Sequence, residues 1–374
     1  MVRIFVCGDV INHTSGLNFV GDDLVQEIQK ADFSVCNFEG PELLNGQTAG
    51  CPHQVEGTAA YLRSIGFNLM LLANNHITEL GLDGVKNSIE VIKKTKAKSI
   101  GAGLTFDDAY RPLVEVIGGK KIGFFNVCEA QVGQFLTNDQ TYGYAWMGYR
   151  GLKNDIQKLS EQVDVVIVFV HAGLEHYPIP LPEIRELYRE LCDAGASIIV
   201  GGHTHSAQGY EYYGEKLIIY SLGNFYYPHI DGSRPEENTS YSINILVDDK
   251  EVIKVEPIHH HLYNGKVELL KDEEKQIDLQ MLNGLLQNDY DQHVNKMCVS
   301  AWDSVCSHLL AEAMCGHYEE TSFFRWCKQC FRYGLFYKRL FINTQKRRDA
   351  LILRLFENET YRWTITRALK IKTK

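Results

Sequence analysis

Between residues 2 and 256, short apolar segments alternate with segments whose apolar residues recur at helical spacing. The apolar segments are rich in β-branched residues, and turn-forming residues separate them from the helical stretches. This alternation is typical of a layered α/β fold. We predict strands at residues 2–7, 33–37, 67–73, 121–126, 164–170, 197–200, 216–220, 242–247 and 251–256.

The helical segments between these strands carry recognisable end signals. We predict helices at residues 22–30, 57–65, 81–96, 152–162 and 182–194. Pro182 suits the first turn of the last of these helices, and Gly195 suits its C-terminal cap. Gly118 and Gly119 separate residues 113–117 from residues 121–126 and predict a β-hairpin.

Polar clusters that could bind metal stand at the C-terminal ends of five strands. They are Gly8-Asp9, Asn37-Phe38-Glu39, Asn74-Asn75-His76, His171-Ala172-Gly173 and Gly201-Gly202-His203-Thr204-His205. Open α/β sheets bind their ligands just outside the carboxyl ends of their strands. We therefore expect these side chains to converge on one site.

These clusters supply more donors than a single cation needs. A catalytic zinc ion uses three protein ligands and one open position, whereas two cations would use all the clusters. Carboxylate, amide and imidazole donors together suit Mn, Fe or Zn. Such a pair lowers the pKa of bound water toward about 7 and contacts both the attacking and the leaving oxygen. The residues therefore predict phosphate-ester hydrolysis through a metal-bound hydroxide.

From Val2 to about Pro257 the chain resembles the poly-γ-glutamate capsule-synthesis (CapA-like) family of the calcineurin-like metallophosphoesterase superfamily. The resemblance lies in the five clusters, in the continuation Leu174-Glu175, and in Tyr220-Ser221-Leu222-Gly223-Asn224-Phe225. It implies an αββα sandwich that holds two divalent metal ions. By position, the implied metal ligands are Asp9 and His205 for the first ion, Glu39 as the bridge, and Asn75, His171 and His203 for the second.

The resemblance also implies roles for residues that do not bind metal. His76 would protonate the leaving oxygen or stabilise charge on the transferred group, unless it is only a structural histidine beneath the loop. Glu175 and Asn224 would contact substrate or support a ligand, or else bond to loop backbone. Asn37 either supports a ligand or belongs to a turn.

Some positions depart from the pattern. Typical metallophosphoesterases begin with Asp-x-His, whereas Ile11 stands at the third position here, as in the CapA-like family. We therefore expect the first metal site to be weaker or more hydrated. Glu79 matches a carboxylate that the family usually carries. Ala172 replaces a common Trp and Thr204 a common Pro, so we expect a differently shaped pocket wall.

The implied function is a metal-dependent hydrolase in bacterial surface-polymer metabolism, with an anionic small molecule or polymer as substrate. Two alternatives stay open. Metal-activated water can also attack a carbonyl, which allows a γ-glutamyl amide hydrolase. The weakened first metal site would also suit a non-catalytic partner that binds a polymer or a synthase.

Beyond residue 262 the β-branched runs disappear, so we place a domain boundary there and expect a helical, basic C-terminal extension over residues 263–374. From Phe331 onward there are 12 Lys and Arg residues against 3 Asp and Glu, a net +9. The whole chain carries −9, which leaves −18 for residues 1–330. This charge argues against nucleic acid as a partner of the main body. The basic extension could contact a membrane surface, an anionic polymer or a synthase, or pack on the acidic body.

No apolar run approaches the roughly 20 residues of a membrane span, and the first residues lack a signal-peptide pattern. We therefore expect a cytoplasmic protein. The 10 cysteines show no disulfide spacing and are expected to be reduced. Cys327 and Cys330, preceded by Cys315 and His317, have the spacing of a zinc knuckle or a redox dithiol, although no second pair matches them.

Overall fold

A computed structural model describes residues 1–13, 16–44, 47, 49–137, 139–228, 235–248, 251–315 and 348–373. They form two compact units, Met1–Tyr290 and Asp291–Lys374. The predicted boundary near residue 262 falls inside the first unit, because a strand ends at Tyr263 and the next strand pairs with it. That residues 1–262 and 263–374 are separate domains stays a prediction.

The first unit contains an eight-stranded sheet with a parallel half and an antiparallel half. The parallel half is β1 (Val2–Val10), β2 (Phe33–Phe38), β3 (Leu69–Leu71) and β4 (Lys98–Ile100). The antiparallel half is β14 (Thr239–Asp248), β15 (Glu251–Tyr263) and β16 (Lys266–Leu269). The order is β16-β15-β14-β1-β2-β3-β4, and β13 (Asn224–Tyr226) pairs in parallel with the end of β1.

The second sheet has the order β11-β12-β10-β9-β7-β6. Its strands are β6 (Leu113–Ile117), β7 (Lys120–Cys128), β9 (Val165–His171), β10 (Ile198–Gly202), β11 (Tyr210–Tyr213) and β12 (Lys216–Ile219). The four inner strands run parallel and the two edge strands antiparallel. A separate pair joins β5 (Ala102–Gly103) to β8 (Gly143–Tyr144).

Five helices cover the outer faces of the two sheets. They are α1 (Asp22–Gln29), α2 (Thr58–Ile65), α3 (Gly81–Lys94), α5 (Leu152–Ser160) and α6 (Pro182–Asp193). The short helix α4 (Phe106–Ala109) packs on the β5–β8 pair, and α7 (Leu279–Gln287) packs at β11 and adds Leu282 to the apolar cluster between the sheets. Apolar side chains of α1, α2 and α3 join the first sheet in one buried cluster, and α5 and α6 pack on the second sheet. The predicted layered αββα sandwich is confirmed.

A second apolar cluster lies between the two sheets. Val6 and Val35 of the first sheet join Phe124, Phe169 and Val200 of the second in this cluster. Each fully buried side chain of this size contributes about 1.5–3 kcal/mol. The packing therefore fixes the distance between the sheets, and with it the distance between their strand ends.

The predicted hairpin is confirmed, with Ile117 paired to Lys120 across two glycines at φ 54° and 82°. Both angles are positive, as a type I′ turn requires. Helix α6 starts at Pro182 as predicted, and Gly195 follows its cap at φ 117°. The strands β4, β11, β13 and β16 were not predicted, because runs of 3 or 4 residues carry too little alternation.

The described part of the second unit is helical, as predicted for the extension. It contains α8 (Tyr290–Ala301), a π-helical stretch (Trp302–Cys306), α9 (Ser307–Cys315) and α10 (Glu359–Lys372). His317, Cys327 and Cys330 lie outside the described residues, as do the basic residues between 338 and 347. No helix among the described residues is long and apolar enough to cross a membrane.

Candidate metal centre

The predicted metal ligands meet where parallel strands of the two sheets end. Asp9 lies at the end of β1 and Glu39 directly follows β2. His171 is the last residue of β9, and His203 and His205 follow β10. All five side chains are buried. Because parallel strands present their carboxyl ends at one edge, the sandwich collects donors from both sheets in one place.

The donor atoms form two groups that share one carboxylate. Asp9, Glu39 and His205 each place a possible ligand atom within 4.8 Å of the others, and Glu39, His171 and His203 do the same. Glu39 is therefore common to both groups, and that it bridges two cations stays a prediction. This is the grouping that the motif resemblance implies.

Glu39 is the least satisfied polar group of the site. Both of its carboxylate oxygens are buried, and neither has a hydrogen-bond partner among the described residues. The Nε2 atoms of His171 and His76 lie 3.6 Å and 3.7 Å from Oε1. Burial alone would raise the pKa of Glu39, but the imidazoles of His171, His205 and His76 lower it to about 2. A buried, ionised carboxylate whose oxygens accept no hydrogen bonds is costly, so these oxygens fit cation binding.

Asp9 is held in place by two donors. Nδ2 of Asn37 donates to Oδ1 at 2.8 Å, and the backbone N–H of His203 donates to Oδ2 at 3.1 Å. Burial raises the pKa of Asp9, and the charge of Glu39 adds to this effect. Asn37, for which the sequence left two roles open, therefore bonds directly to a candidate ligand.

His205 supplies positive charge to the first group. Its Nδ1 hydrogen-bonds to Oδ1 of Asn224 at 2.9 Å and lies 3.7 Å from Oδ2 of Asp9. Burial would lower the pKa of His205, but the carboxylates of Glu39, Asp9 and Glu175 outweigh burial and raise it to about 9. The buried carboxylates that raise the pKa of His205 would also favour a bound divalent cation.

The second group gathers around Nε2 of His171. Nδ1 of His203 lies 3.2 Å from this atom, and Oδ1 of Asn75 lies 3.0 Å from it. Asn75 lies in the loop that follows β3. Its side chain is an amide and does not ionise, so it is not part of the two groups of carboxylates and imidazoles above, but its Oδ1 still reaches the site. Two imidazole nitrogens, an amide oxygen and the shared carboxylate form a donor set that suits a divalent transition metal.

The loop that carries His203 and His205 is conformationally strained. Both histidines have positive φ, 83° and 57°, in the left-handed region that side chains with a Cβ rarely adopt. The carbonyl of Thr204 between them accepts the backbone N–H of His176 at 2.7 Å. Such strain costs of order 1–3 kcal/mol per residue and is concentrated at functional sites.

His76 lies at the rim of the site, with 18% of its side chain exposed. Its Nδ1 hydrogen-bonds to Oε1 of Glu79 at 2.8 Å, and its Nε2 lies 3.7 Å from Oε1 of Glu39. Burial would lower the pKa of His76, but the bond to Glu79 and the charges of Glu39, Glu79 and Glu175 raise it. A side-chain carboxylate, rather than loop backbone, therefore orients this ring.

The other singled-out positions line the same site. Oε1 of Glu175 lies 3.7 Å from Nε2 of His203, and 27% of the Glu175 side chain is exposed. Ile11 is buried and contributes only its backbone N–H, which donates to Tyr226, so the first group lacks the ligand that Asp-x-His would supply. Ala172 and Thr204 are buried beside these residues.

Sequence reasoning missed two site residues, Glu129 and Gln131. Glu129 is fully buried, and its Oε1 lies 3.6 Å from Nε2 of His203. Nε2 of Gln131 donates to Glu129 at 3.0 Å and lies 3.0 Å from the same His203 atom. The predicted strand stopped at Asn126, whereas β7 continues to Cys128. Extending that strand through Val127 and Cys128 would have put Glu129 at its end, as in the other clusters.

Residues 3–229 match the family described as Bacterial capsule synthesis protein PGA_cap. The chain belongs to this family. The family resemblance drawn from the motifs is thereby confirmed, and the matched region covers every residue of the candidate metal centre.

Similar proteins include two from Bacillus. The "Capsule biosynthesis protein CapA" of Bacillus anthracis is 31% identical over 221 residues, which cover 56% of this chain and 54% of that protein. The "PGA biosynthesis protein CapA" of Bacillus subtilis (strain 168) is 27% identical over 201 residues, 52% of this chain and 53% of that protein. The PGA_cap chain thus spans about half the length of these relatives.

Among solved structures, one described as a novel phosphatase from Mycoplasma pneumoniae superposes with a TM-score of 0.44. It is 18% identical, and the superposition covers 69% of this chain and 92% of that one.

Proposed function

We propose that this PGA_cap protein is a metal-dependent hydrolase that cleaves a phosphoester or a related bond in bacterial surface-polymer metabolism. The observation that carries the proposal is the environment of Glu39. Its carboxylate is fully buried and common to two donor groups, and neither of its oxygens has a hydrogen bond among the described residues. A structural carboxylate at this depth would have its oxygens saturated by donors. A carboxylate that binds cations instead keeps its oxygens free of hydrogen-bond donors.

Asp9, Glu39 and His205 would hold one divalent cation, and Glu39, Asn75, His171 and His203 would hold the other. When bound, such a pair activates a water molecule as nucleophile and stabilises charge on the transferred group. The chain's own part is to keep these donors buried and oriented. Asn37 and the backbone N–H of His203 fix the two oxygens of Asp9, and Asn224 fixes the ring of His205.

His76 would donate the proton that the leaving oxygen needs. Glu79 holds its Nδ1, and its Nε2, which lies 3.2 Å from Nδ2 of Asn75 and 3.7 Å from Oε1 of Glu39, would face a substrate bound over Glu39. A positioned general acid contributes about 10²–10⁴-fold to the rate. This arrangement favours a hydrolase over a binding module, because binding alone does not need a histidine oriented against the donor groups.

The substrate we propose is an anionic small molecule or polymer. The names of the Bacillus relatives, in capsule and PGA biosynthesis, support a surface-polymer context. The same names favour a γ-glutamyl amide bond as the second candidate, which the same donors could serve.

The cellular context is a further part of the proposal. We propose a cytoplasmic protein that contacts an anionic membrane surface or a synthase through its basic C-terminal residues. In the second unit Leu353 and Phe356 are exposed beside Arg354 and Arg362. Cosedimentation of the full chain with anionic vesicles, compared with neutral vesicles, would test the membrane contact, and equal pelleting would contradict it.

The catalytic proposal is tested by stripping the full chain of metal, restoring Mn²⁺, and assaying a chromogenic phosphodiester and a γ-glutamyl oligomer. We expect Mn²⁺-dependent turnover of the phosphodiester. Turnover of the oligomer alone would assign the amide-hydrolase alternative. Absence of both bound Mn²⁺ and turnover would overturn the hydrolase and favour a non-catalytic polymer- or synthase-binding partner.

A further inference from the structure

We propose that Gln54 is a positioning residue for the first cation. Its side-chain amide ties together the two backbone segments that carry Asp9 and Glu39, and so holds their carboxylates at coordination distance before a cation binds. This inference rests on the proposed two-cation site. It adds to that site a residue that belongs to neither donor group and acts through the backbone of the donors.

Gln54 is a fully buried polar side chain, with none of its surface exposed. Glutamine is mostly found at protein surfaces, and a buried amide needs hydrogen-bond partners. Nε2 of Gln54 donates to the carbonyl of Val10 at 2.6 Å and to the carbonyl of Glu39 at 2.7 Å. Its Oε1 accepts the backbone N–H of Asn12 at 2.8 Å. Both amide hydrogens and the amide oxygen are therefore used on the two strand ends.

The partners leave only one orientation for this amide. A carbonyl can only accept a hydrogen bond and a backbone N–H can only donate one, so exchanging Nε2 and Oε1 would break all three bonds. These contacts do not depend on the protonation of any side chain. The backbone of Gln54 is itself fixed, because its N–H donates to Pro41 and its carbonyl accepts from Leu43, both at 2.9 Å.

The tie lies where the pairing of β1 with β2 becomes irregular. Val6 pairs with Val35, but Asp9 pairs with Asn37, so β1 has one extra residue between these two pairs. Such a bulge disrupts the hydrogen-bond ladder locally. Gln54 bonds just beyond this point and reaches Asn12, past the end of β1. It therefore joins the two segments where regular strand pairing ends.

A neutral amide suits this task better than a charged side chain. Ligand atoms of Asp9 and Glu39 lie within 4.8 Å of each other, and both carboxylates must be ionised to bind a cation. Ionised carboxylates this close repel each other strongly in a buried site. A lysine or arginine would offset the repulsion but would pair with the carboxylate oxygens. Gln54 binds backbone only in these contacts, and both Glu39 oxygens accept no hydrogen bond among the described residues.

Asn74 makes a matching tie on the other side of Glu39. Its Oδ1 accepts the backbone N–H of Gly40 at 3.1 Å, and its Nδ2 donates to the carbonyl of Phe38 at 2.9 Å. Asn74 directly precedes Asn75, a donor of the second group. The Glu39 segment is thus tied to β1 by Gln54 and to the loop of Asn75 by Asn74. Loss of the Gln54 amide should therefore loosen the first group more than the second.

The test is Mn²⁺ binding to the metal-free full chain, measured by isothermal titration calorimetry. Gln54→Met keeps the length of the side chain and removes the amide. We expect one of two Mn²⁺ sites to weaken by about 10–100-fold, which is about 1.4–2.7 kcal/mol. In a His203→Ala background, where only the first site should remain, adding Gln54→Met should weaken that site by the same factor.

Asn68→Leu is the matched control. Asn68 directly precedes β3, and its Oδ1 accepts the backbone N–H of Ser34 near the start of β2 at 2.8 Å. It therefore ties two strands of the same sheet at the edge opposite the donors. Both variants should melt below the wild type, because each leaves backbone groups without a partner. Only Gln54→Met should lose Mn²⁺ affinity, and equal weakening by Asn68→Leu would assign the effect to stability and overturn the inference.

Hydrogen exchange in the wild type gives a test that needs no folded variant. The backbone N–H groups of Asn12 and Glu39 should exchange slowly in the metal-free chain, because the tie exists before a cation binds. Fast exchange there that slows only after Mn²⁺ is added would overturn the inference, as would wild-type affinity at both sites of Gln54→Met. The two-cation site would stand in either case, whereas a wild-type chain that binds no Mn²⁺ would overturn the proposed function as well.

Discussion

Replacing Gly8 with alanine would separate the residues of the first donor group. A Cβ on Gly8 would lie 1.9 Å from the carbonyl oxygen of Gly223, whereas real Cβ atoms essentially never approach closer than 3.0 Å. The two backbones must therefore move apart by about 1.1 Å. Asp9 directly follows Gly8, and Asn224, which holds His205, directly follows Gly223.

A movement of this size exceeds what metal coordination tolerates. Metal–ligand distances of about 2.0–2.2 Å hold to within about 0.2 Å. Asp9 and His205 would therefore no longer reach one cation together. The donors His171, Asn75 and His203 lie on other segments of the chain, and only the backbone N–H of His203 bonds to Asp9 directly. We expect Gly8→Ala to bind one Mn²⁺ per chain instead of two, and to lose about 1–3 kcal/mol of stability.

The assay is elemental analysis of Mn²⁺ per chain after gel filtration, with thermal unfolding to show that the variant is folded. Gly284→Ala is the control, because a Cβ at Gly284 in α7 meets no atom within 4 Å. That variant should keep two Mn²⁺ and gain about 0.5–1 kcal/mol from helix propensity. A folded Gly8→Ala protein that binds two Mn²⁺ with wild-type affinity would refute the reasoning.

Three further predictions concern single histidines. His203→Ala should lose the second Mn²⁺ and all turnover, and full turnover would contradict its assignment. His76→Ala should keep its Mn²⁺ content and lose about 10²–10⁴-fold in kcat, and an unchanged kcat would exclude the general-acid role. Burial, and then His259 and His261, lower the pKa of His260 to about 3, so below pH about 6.5 the unfolded chain binds a proton that the folded chain does not. Between pH 7 and pH 5, urea unfolding should show the wild type losing about 2 kcal/mol more than His260→Gln, and equal losses would refute this.

Much of the fold could be predicted because its signals are local. The glycine pair of the β6–β7 hairpin and the Pro182 and Gly195 ends of α6 act within a few residues, so the sequence alone shows them. Strand β13 is different, because its 3 residues carry no pattern. It forms where its backbone pairs with the end of β1, and only the folded chain brings those residues together.

In the candidate metal centre, too, some residues carry a local sequence signal and others are recognisable only in the folded chain. Donor clusters could be found because each stands directly after an apolar strand. Glu129 also follows a strand, but the apolar alternation that marks this strand weakens before it ends. Gln131 carries no signal of its own, because its role depends on reaching Asn75 and His203 from a different strand.

By itself, the sequence determined the layered α/β class, the donor types and their places at strand ends, because these follow from side-chain periodicity and from residues next to each other in the chain. The motif resemblance implied that Glu39 bridges two cations, but only the tertiary structure decided that its carboxylate lies within reach of both donor groups and that its oxygens are left without hydrogen bonds among the described residues. The packing of one sheet on the other sets those distances, and no local pattern encodes them.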